Sequence, residues 1–158
     1  MGIRYERGEV FLPQIIRSAE TGKNSFDILK ETLKHDDSAD MSKGKIILAT
    51  VKGDIHDIGK NVVKMLLENY NYEVLDLGRD VQPEAVVEAA LKHEVKLIGL
   101  SALMTTTVSY MEETIAALKK ENSEFVVVVG GAVLNADYAM AIGADHYGRD
   151  AKDSVSIA

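Results

Sequence analysis

The chain has no cysteine, so neither a disulfide framework nor a thiolate metal site is open to it, and that fits a cytoplasmic protein. Proline is almost as scarce: there are two, Pro13 and Pro83, and each stands where the first turn of a helix tolerates it. Lys and Arg are not clustered and the formal net charge is −7. That excludes a phosphate-gripping surface and with it a nucleic-acid partner. An acidic surface mainly favours solubility. The longest apolar run, Phe125 to Leu134, is far too short to span a bilayer, and no signal peptide is visible, so no membrane association is expected. Met1-Gly2 is not followed by the Ser or Thr that a myristoylation signal would place at Glu6. No Gly-x-Gly-x-x-Gly run is present either, which removes the dinucleotide-binding fingerprint.

What is present is enough apolar material for one α/β domain. Hydrophobic residues make up 46% of the 158 positions, leaving room for an accessory segment but not for a second large domain. Leu12, Ile15, Ile16, Ala19, Phe26, Leu29 and Leu33 recur at spacings of three, four and seven, the pattern of one long amphipathic helix. A lone helix cannot bury such a stripe. It has to pack on the α/β domain, on another chain such as a second copy in a homodimer, or on further helices. Residues 36–44 are polar and read as a linker. Beyond them come five candidate strands: Lys45 to Thr50, Glu73 to Leu77, Lys96 to Ala102, Phe125 to Val129 and Asp145 to Tyr147. Between these, Val62, Val63, Leu66 and Leu67 form one helical face, Val86, Val87, Ala90 and Leu91 a second, and Val108, Met111, Ile115 and Leu118 a third. Near-continuous apolar strands imply burial on both faces, hence a parallel sheet. The expected fold is α/β: a flavodoxin-like, doubly wound, five-stranded parallel sheet in strand order 2-1-3-4-5.

In such a sheet, ligands bind at the carboxyl ends of the strands. The loop after the first strand, Gly53-Asp54-Ile55-His56-Asp57-Ile58-Gly59, holds the chemistry. Asp54 and His56 are two positions apart, so the carboxylate can accept a hydrogen bond from one ring nitrogen and leave the other free for a metal. Gly53 and Gly59 bracket the loop. The bland alternative makes His56 a loop histidine that caps the next helix. The fold alone licenses no function, so the loops must discriminate. A phosphorylatable receiver wants an Asp where the third strand ends in Ser101, and a flavodoxin wants a Ser/Thr-rich loop where Val51 to Ile58 offers acids and a histidine.

Asp54-x-His56-x-x-Gly59, followed by Ser101-x-Leu103 and by Gly130-Gly131, resembles the cobalamin-binding domain of methionine synthase, corrinoid methyl carriers and cobalamin-dependent mutases. The wider run from Phe11-Leu12-Pro13-Gln14 to Ala151 looks specifically like cobalamin-dependent methionine synthase, and so points to methionine biosynthesis. The resemblance implies that the cofactor's benzimidazole leaves the cobalt and that its nucleotide tail sinks into the domain. His56 would then take the lower axial position of an octahedral cobalt, with Asp54 behind it fixing the tautomer. Thr107 stands where methionine synthase has a serine, at the end of a relay through Asp54. Thr105-Thr106-Thr107 is closer to stand-alone corrinoid carriers.

The resemblance further implies cofactor contacts from Gly53, Ile55, Asp57, Leu103 and, through its backbone, Ala151. Ser101 and Thr105 match positions that hydrogen-bond the benzimidazole; their structural alternative is to cap the helix that follows Thr107. Gly130 and Gly131 would let the flat base lie against the chain, and otherwise make a tight turn. Residues 1–35 resemble the last part of a helical cap over the methyl face of the corrin, with Leu12 and Tyr5 as apolar contacts; 45–158 would be the cobalamin domain proper. The remaining cap helices and the homocysteine, folate and reactivation modules are not expected in this chain. It should therefore not be catalytic alone. The implied role is to carry a methyl group, as methylcobalamin alternating with cob(I)alamin, between methyl-donor and methyl-acceptor catalytic domains. The alternatives are a stand-alone corrinoid protein of a methylamine- or methanol-type methyltransferase system, a mutase subunit, or a cobalamin-dependent sensor. His35, His93 and His146 lack a carboxylate at matching spacing and read as ordinary.

Overall fold

The computed structural model describes residues 42–158 together with Phe11, Gln14, Arg17 and Thr21. Tyr5, Leu12, His35, most of the expected 12–33 helix, and the linker up to residue 41 lie outside the described residues. At the start of that helix, the Phe11 amide donates to Gln14 Oε1 at 2.7 Å and the Gln14 amide to the Phe11 carbonyl at 2.9 Å. The first is the side-chain half of a capping box, the glutamine reaching back to an otherwise unpaired amide; the second is the backbone bond of the opening turn.

Five parallel strands form one sheet in the order β2-β1-β3-β4-β5. They are β1 (Lys45–Thr50), β2 (Glu73–Asp76), β3 (Leu97–Ser101), β4 (Val126–Gly130) and β5 (His146–Tyr147). Four connecting helices are α1 (Ile58–Asn69), α2 (Pro83–Lys92), α3 (Val108–Glu121) and α4 (Ala136–Ala141), and α5 (Ala151–Ile157) follows the last strand. Fold class, strand count and order match the expectation from the sequence. The strand ends differ by a residue or so, and β5 shrinks to two residues. Helices α4 and α5 had no sequence-based expectation: Asn135 and Asp150 start them as side-chain caps, a signal that was present. Pro83 opens α2 as expected.

The two sheet faces are filled differently. Ile47, Ala49 and Val51 of one face join Ile98, Leu100, Val127 and Val129 and the inner sides of α2 and α3 in one large core. All four apolar positions expected for α3, Val108, Met111, Ile115 and Leu118, are buried there. Among the described residues, the buried apolar cluster on the opposite face is Ile46, Leu48 and Leu67. Of the face expected for α1, Leu67 alone is fully buried, while Val62, Val63 and Leu66 are half-buried. Helices α1 and α5 pack on this small cluster through Val63, Leu67 and Val155, and beside it they border a cleft. The register aligns Thr50 with Ser101 and Ser101 with Gly130, so the loops after β1, β3 and β4 leave one edge of the sheet side by side.

Candidate functional site

The loop after β1 is shaped by what Asp54 must satisfy. Its side chain is fully buried, 0% exposed, and an ionised carboxylate cannot stay there without donors. It has five. Oδ1 accepts from the His56 amide at 3.0 Å and from His56 Nδ1 at 2.8 Å. Oδ2 accepts from the Leu103 amide at 2.7 Å, the Met104 amide at 3.2 Å and the Thr107 hydroxyl at 2.9 Å. Burial pushes the Asp54 carboxyl up, but the contacts from His56, Leu103 and Thr107 together outweigh it and hold the group well below its ordinary value. The acid is therefore an anion that only accepts. Nδ1 of His56 therefore donates the proton of that bond, and Nε2, on a ring 45% exposed, is the nitrogen left to bind a metal.

His56 does not cap α1: the capping position is Asp57, without a side-chain cap bond. Thr107 is not a side-chain cap of α3 either. Its hydroxyl lies on Asp54 Oδ2 and, at 2.8 Å, on the Met104 carbonyl. The three-member arrangement of His56, Asp54 and Thr107 is thus assembled, the threonine hydroxyl donating to Asp54 Oδ2. Gly53 has a positive φ of 78° and packs against the Thr107 methyl and the Tyr110 ring, over which Lys52 Nζ sits at 5.0 Å from the centroid. Ile55, Ile58 and Leu103 are exposed apolar side chains beside His56. An apolar platform around one imidazole suits a flat macrocycle better than a bare ion. Among the described residues, no group of three or more His, Cys, Asp or Glu side chains could hold a metal by itself. A metal taken up by His56 would have to bring its other ligands with it.

Beside the loop opens the cleft, about 380 Å³ in volume, lined by Gly59, Lys60, Val63, Ser101, Gly130, Gly131 and Ala151 among others. Its floor is made of strand backbone where glycine replaces a side chain. A Cβ on Gly99 would come within 2.5 Å of Leu48 Cδ2, and one on Gly148 within 2.4 Å of Ser154 Oγ. Gly59 has open space around it and Gly130 has 3.3 Å to the Gly148 carbonyl. Gly131 differs: a Cβ there would lie 1.8 Å from the Ala102 carbonyl oxygen. Its missing side chain answers to the neighbouring loop rather than to a ligand. The expected cofactor residues therefore divide. Gly59, Ser101, Gly130, Gly131 and Ala151 line the cleft; Gly53, Asp54, Ile55, His56, Asp57 and Leu103 belong to the loop cluster at its rim. Thr105 is exposed at the start of a single 3₁₀ turn and outside the cleft wall. Gly99 and Gly148 went unnoticed in the sequence, although a glycine inside a buried apolar strand marks a close approach. His93 and His146 are exposed and are not among the residues that line the cleft.

A mostly apolar cleft with Ser101 in its wall, next to a half-exposed imidazole backed by a buried carboxylate, suits a planar tailed cofactor with one open axial position. The comparisons with known proteins agree. A family profile described as the B12 binding domain matches residues 44–156. The chain belongs to that family, and its cofactor is cobalamin. Within the family it belongs with the corrinoid proteins. Dimethylamine corrinoid protein 3 of Methanosarcina mazei is 39% identical, over 100% of this chain and 95% of that one. A cobalamin-binding protein from Desulfitobacterium hafniense DCB-2 superposes with a TM-score of 0.82 at 35% identity, over 99% of this chain and 73% of that one. The methanol:cobalamin methyltransferase complex MtaBC from Methanosarcina barkeri contains a chain matching with a TM-score of 0.83 at 32% identity, over 98% of this chain and 58% of that one. No helix among the described residues is long and apolar enough to cross a membrane.

Proposed function

We propose that this chain is the methyl-carrying corrinoid protein of a methylamine- or methanol-type methyltransferase system. Cobalamin would bind base-off, its nucleotide tail in the cleft and His56 Nε2 beneath the cobalt. The cofactor supplies the chemistry, a cobalt that accepts and releases a methyl group; the protein supplies orientation and a tuned axial ligand. Ser101 would meet the tail, with Gly59, Gly130, Gly131 and Ala151 as its walls, and Ile55, Leu103, Gly53 and Asp57 would face the corrin. Thr105 would reach the cofactor only if the loop closes on it. The partners are separate methyl-donor and methyl-acceptor catalytic proteins, a reading supported by the methyltransferase complex to which the fold is similar. Residues 1–35 we assign to a helical cap over the methyl face, with Leu12 and Tyr5 in it and a homodimer contact as its other use.

The methionine synthase reading rests on the motif run alone. Relatives named for dimethylamine, trimethylamine and methanol systems cover the chain almost end to end, which favours the carrier. The observation that carries the proposal is the five-donor cradle of Asp54, which leaves His56 with one ligand nitrogen beside the cleft.

Electron paramagnetic resonance of bound cob(II)alamin tests it. Imidazole nitrogen coupling is expected, lost in His56→Ala and weakened in Asp54→Asn, with metal affinity falling on the order of 10- to 100-fold in the latter. Benzimidazole coupling in the unaltered protein would overturn the reading. A methyl-transfer assay with amine- and methanol-specific partner enzymes, against a homocysteine-dependent one, then separates carrier from methionine synthase.

A further inference from the structure

The turn that follows β2, on the outer side of the sheet, touches the ligand loop at both of its ends. At one end, the Gly53 amide donates to Asp80 Oδ1 at 2.7 Å, and the Asp80 amide donates back to the Asp54 carbonyl at 3.0 Å. Asp80 makes this reciprocal pair from a left-handed backbone, φ 53°, a conformation that costs a non-glycine residue energy and that Asp tolerates better than most. At the other end, Lys60, the residue after Gly59, is 4% exposed. Its stem lines the cleft, and its ammonium is paired with Asp76 Oδ1. Asp76 also takes Lys64 Nζ at 3.2 Å and the Gly78 amide at 2.9 Å. Between the two contacts, the Thr50 amide donates to the Gly78 carbonyl at 3.0 Å and the Val81 amide to the Thr50 carbonyl at 3.1 Å.

The end of β2 and the turn after it, Asp76 to Asp80, therefore hold Gly53 and Lys60, the third residue of α1, and the stretch that carries His56 runs between these two fixed points. Asp54 orients the imidazole of His56 but does not set where the loop stands relative to the cleft. A loop anchored only through Asp54 could tilt as a body, since all of that carboxylate's outside donors come from the β3–α3 side. The contacts from the β2 side oppose that tilt.

We propose that Asp80 and Asp76 are positioning residues for the axial ligand: the β2–α2 turn braces both ends of the His56 loop and fixes the height of the imidazole above the cleft. The proposal rests on His56 being the axial ligand, and its first measurement does not need the cofactor. Asp80→Gly accepts the positive φ without strain and removes only the carboxylate, whereas Asp80→Asn keeps an acceptor oxygen and tolerates the same backbone. In the protein without cofactor, amide hydrogen exchange at Gly53 to His56 should speed up about threefold to tenfold in Asp80→Gly, and stay near the unaltered rate in Asp80→Asn. Lys60→Met, which keeps the stem, should do the same at Gly59 and Asn61.

In the loaded protein, the fraction of cob(II)alamin with imidazole coupling should fall in Asp80→Gly while cobalamin remains bound through its tail. A purely structural role would lower the melting temperature but leave that fraction unchanged. If the unaltered protein lacks imidazole coupling, the ligand assignment fails; if it has the coupling and Asp80→Gly keeps both coupling and exchange rates, the brace fails.

Discussion

The same sheet presents a filled face and a hollow one, and adjacent residues of one strand serve the two. In β3, Ile98 is inaccessible and packs with α2 and α3, while Leu97 and Gly99 line the cleft. The filled face answers to close packing, in which each methylene removed leaves a void and lost contacts. The hollow face gives up part of that burial and keeps shape instead, with glycine floor and half-buried helix α1. Stability and binding are thereby drawn from opposite sides of one β-ladder, so a substitution can be aimed at either.

The largest effect belongs to the filled face. Ile98→Ala should cost about 3 kcal/mol of unfolding free energy, because its neighbours cannot collapse into the gap. Leu97→Ala, one residue away, should cost about 1 kcal/mol, since it already borders open space. Urea denaturation of the two variants measures both; equal losses would break the contrast between the faces.

An intermediate effect belongs to the hollow face. Gly99→Ala pushes its new methyl against Leu48 and narrows the cleft. Overpacking of this kind should weaken cobalamin binding about tenfold, while cobinamide, which has no nucleotide tail, should bind as before. A matching loss for both ligands would mean that the tail does not lie over Gly99 in the cleft.

The smallest effect lies at the rim of the filled face, where Asp145 receives the Val127 amide at 2.7 Å and Lys119 at 2.7 Å. Burial raises the Asp145 carboxyl, but Lys119 and the Val127 amide lower it further, below its ordinary value of 3.8. A carboxyl depressed in the folded state stabilises above its unfolded value, and that contribution is lost as the pH falls through the folded one. Thermal melts should therefore decline more steeply below about pH 4 in the unaltered protein than in Asp145→Asn. The difference should be only about 0.5 kcal/mol, because the pair is partly exposed and screened. Cobalamin affinity should not change; if it did, the rim would be communicating with the cleft.

Most of this organisation was legible in the order of residues, for reasons that are local. Val126 to Val129 can only be a strand buried on both faces, and Asp54-x-His56 places a carboxylate beside an imidazole whatever the surroundings. Legibility ended where contacts join distant segments. Nothing near Asp80 announces that its carboxylate reaches Gly53, 27 positions earlier, nor does Lys60 reveal that it is buried against Asp76. Nor does a motif position reveal exposure: Thr105 stands in the open at the start of the 3₁₀ turn. The stripe of α1 marks one helical face, of which Val63 and Leu67 border the cleft; period alone cannot tell a packed neighbour from a space kept for a ligand.

The glycine at 131 bears on how such a domain would age. Its side chain is forbidden by the Ala102 carbonyl oxygen, a piece of the protein itself, whereas Gly59 has open space around it. A descendant that had abandoned its cofactor could drift at Gly59 and Ser101, and at His56 for the loss of one of Asp54's five donors. It would still be compelled to retain a glycine at 131. In such lineages that position would survive as a fossil of the fold, and the histidine and Gly59, rather than the glycine pair, would record whether the old trade is still practised.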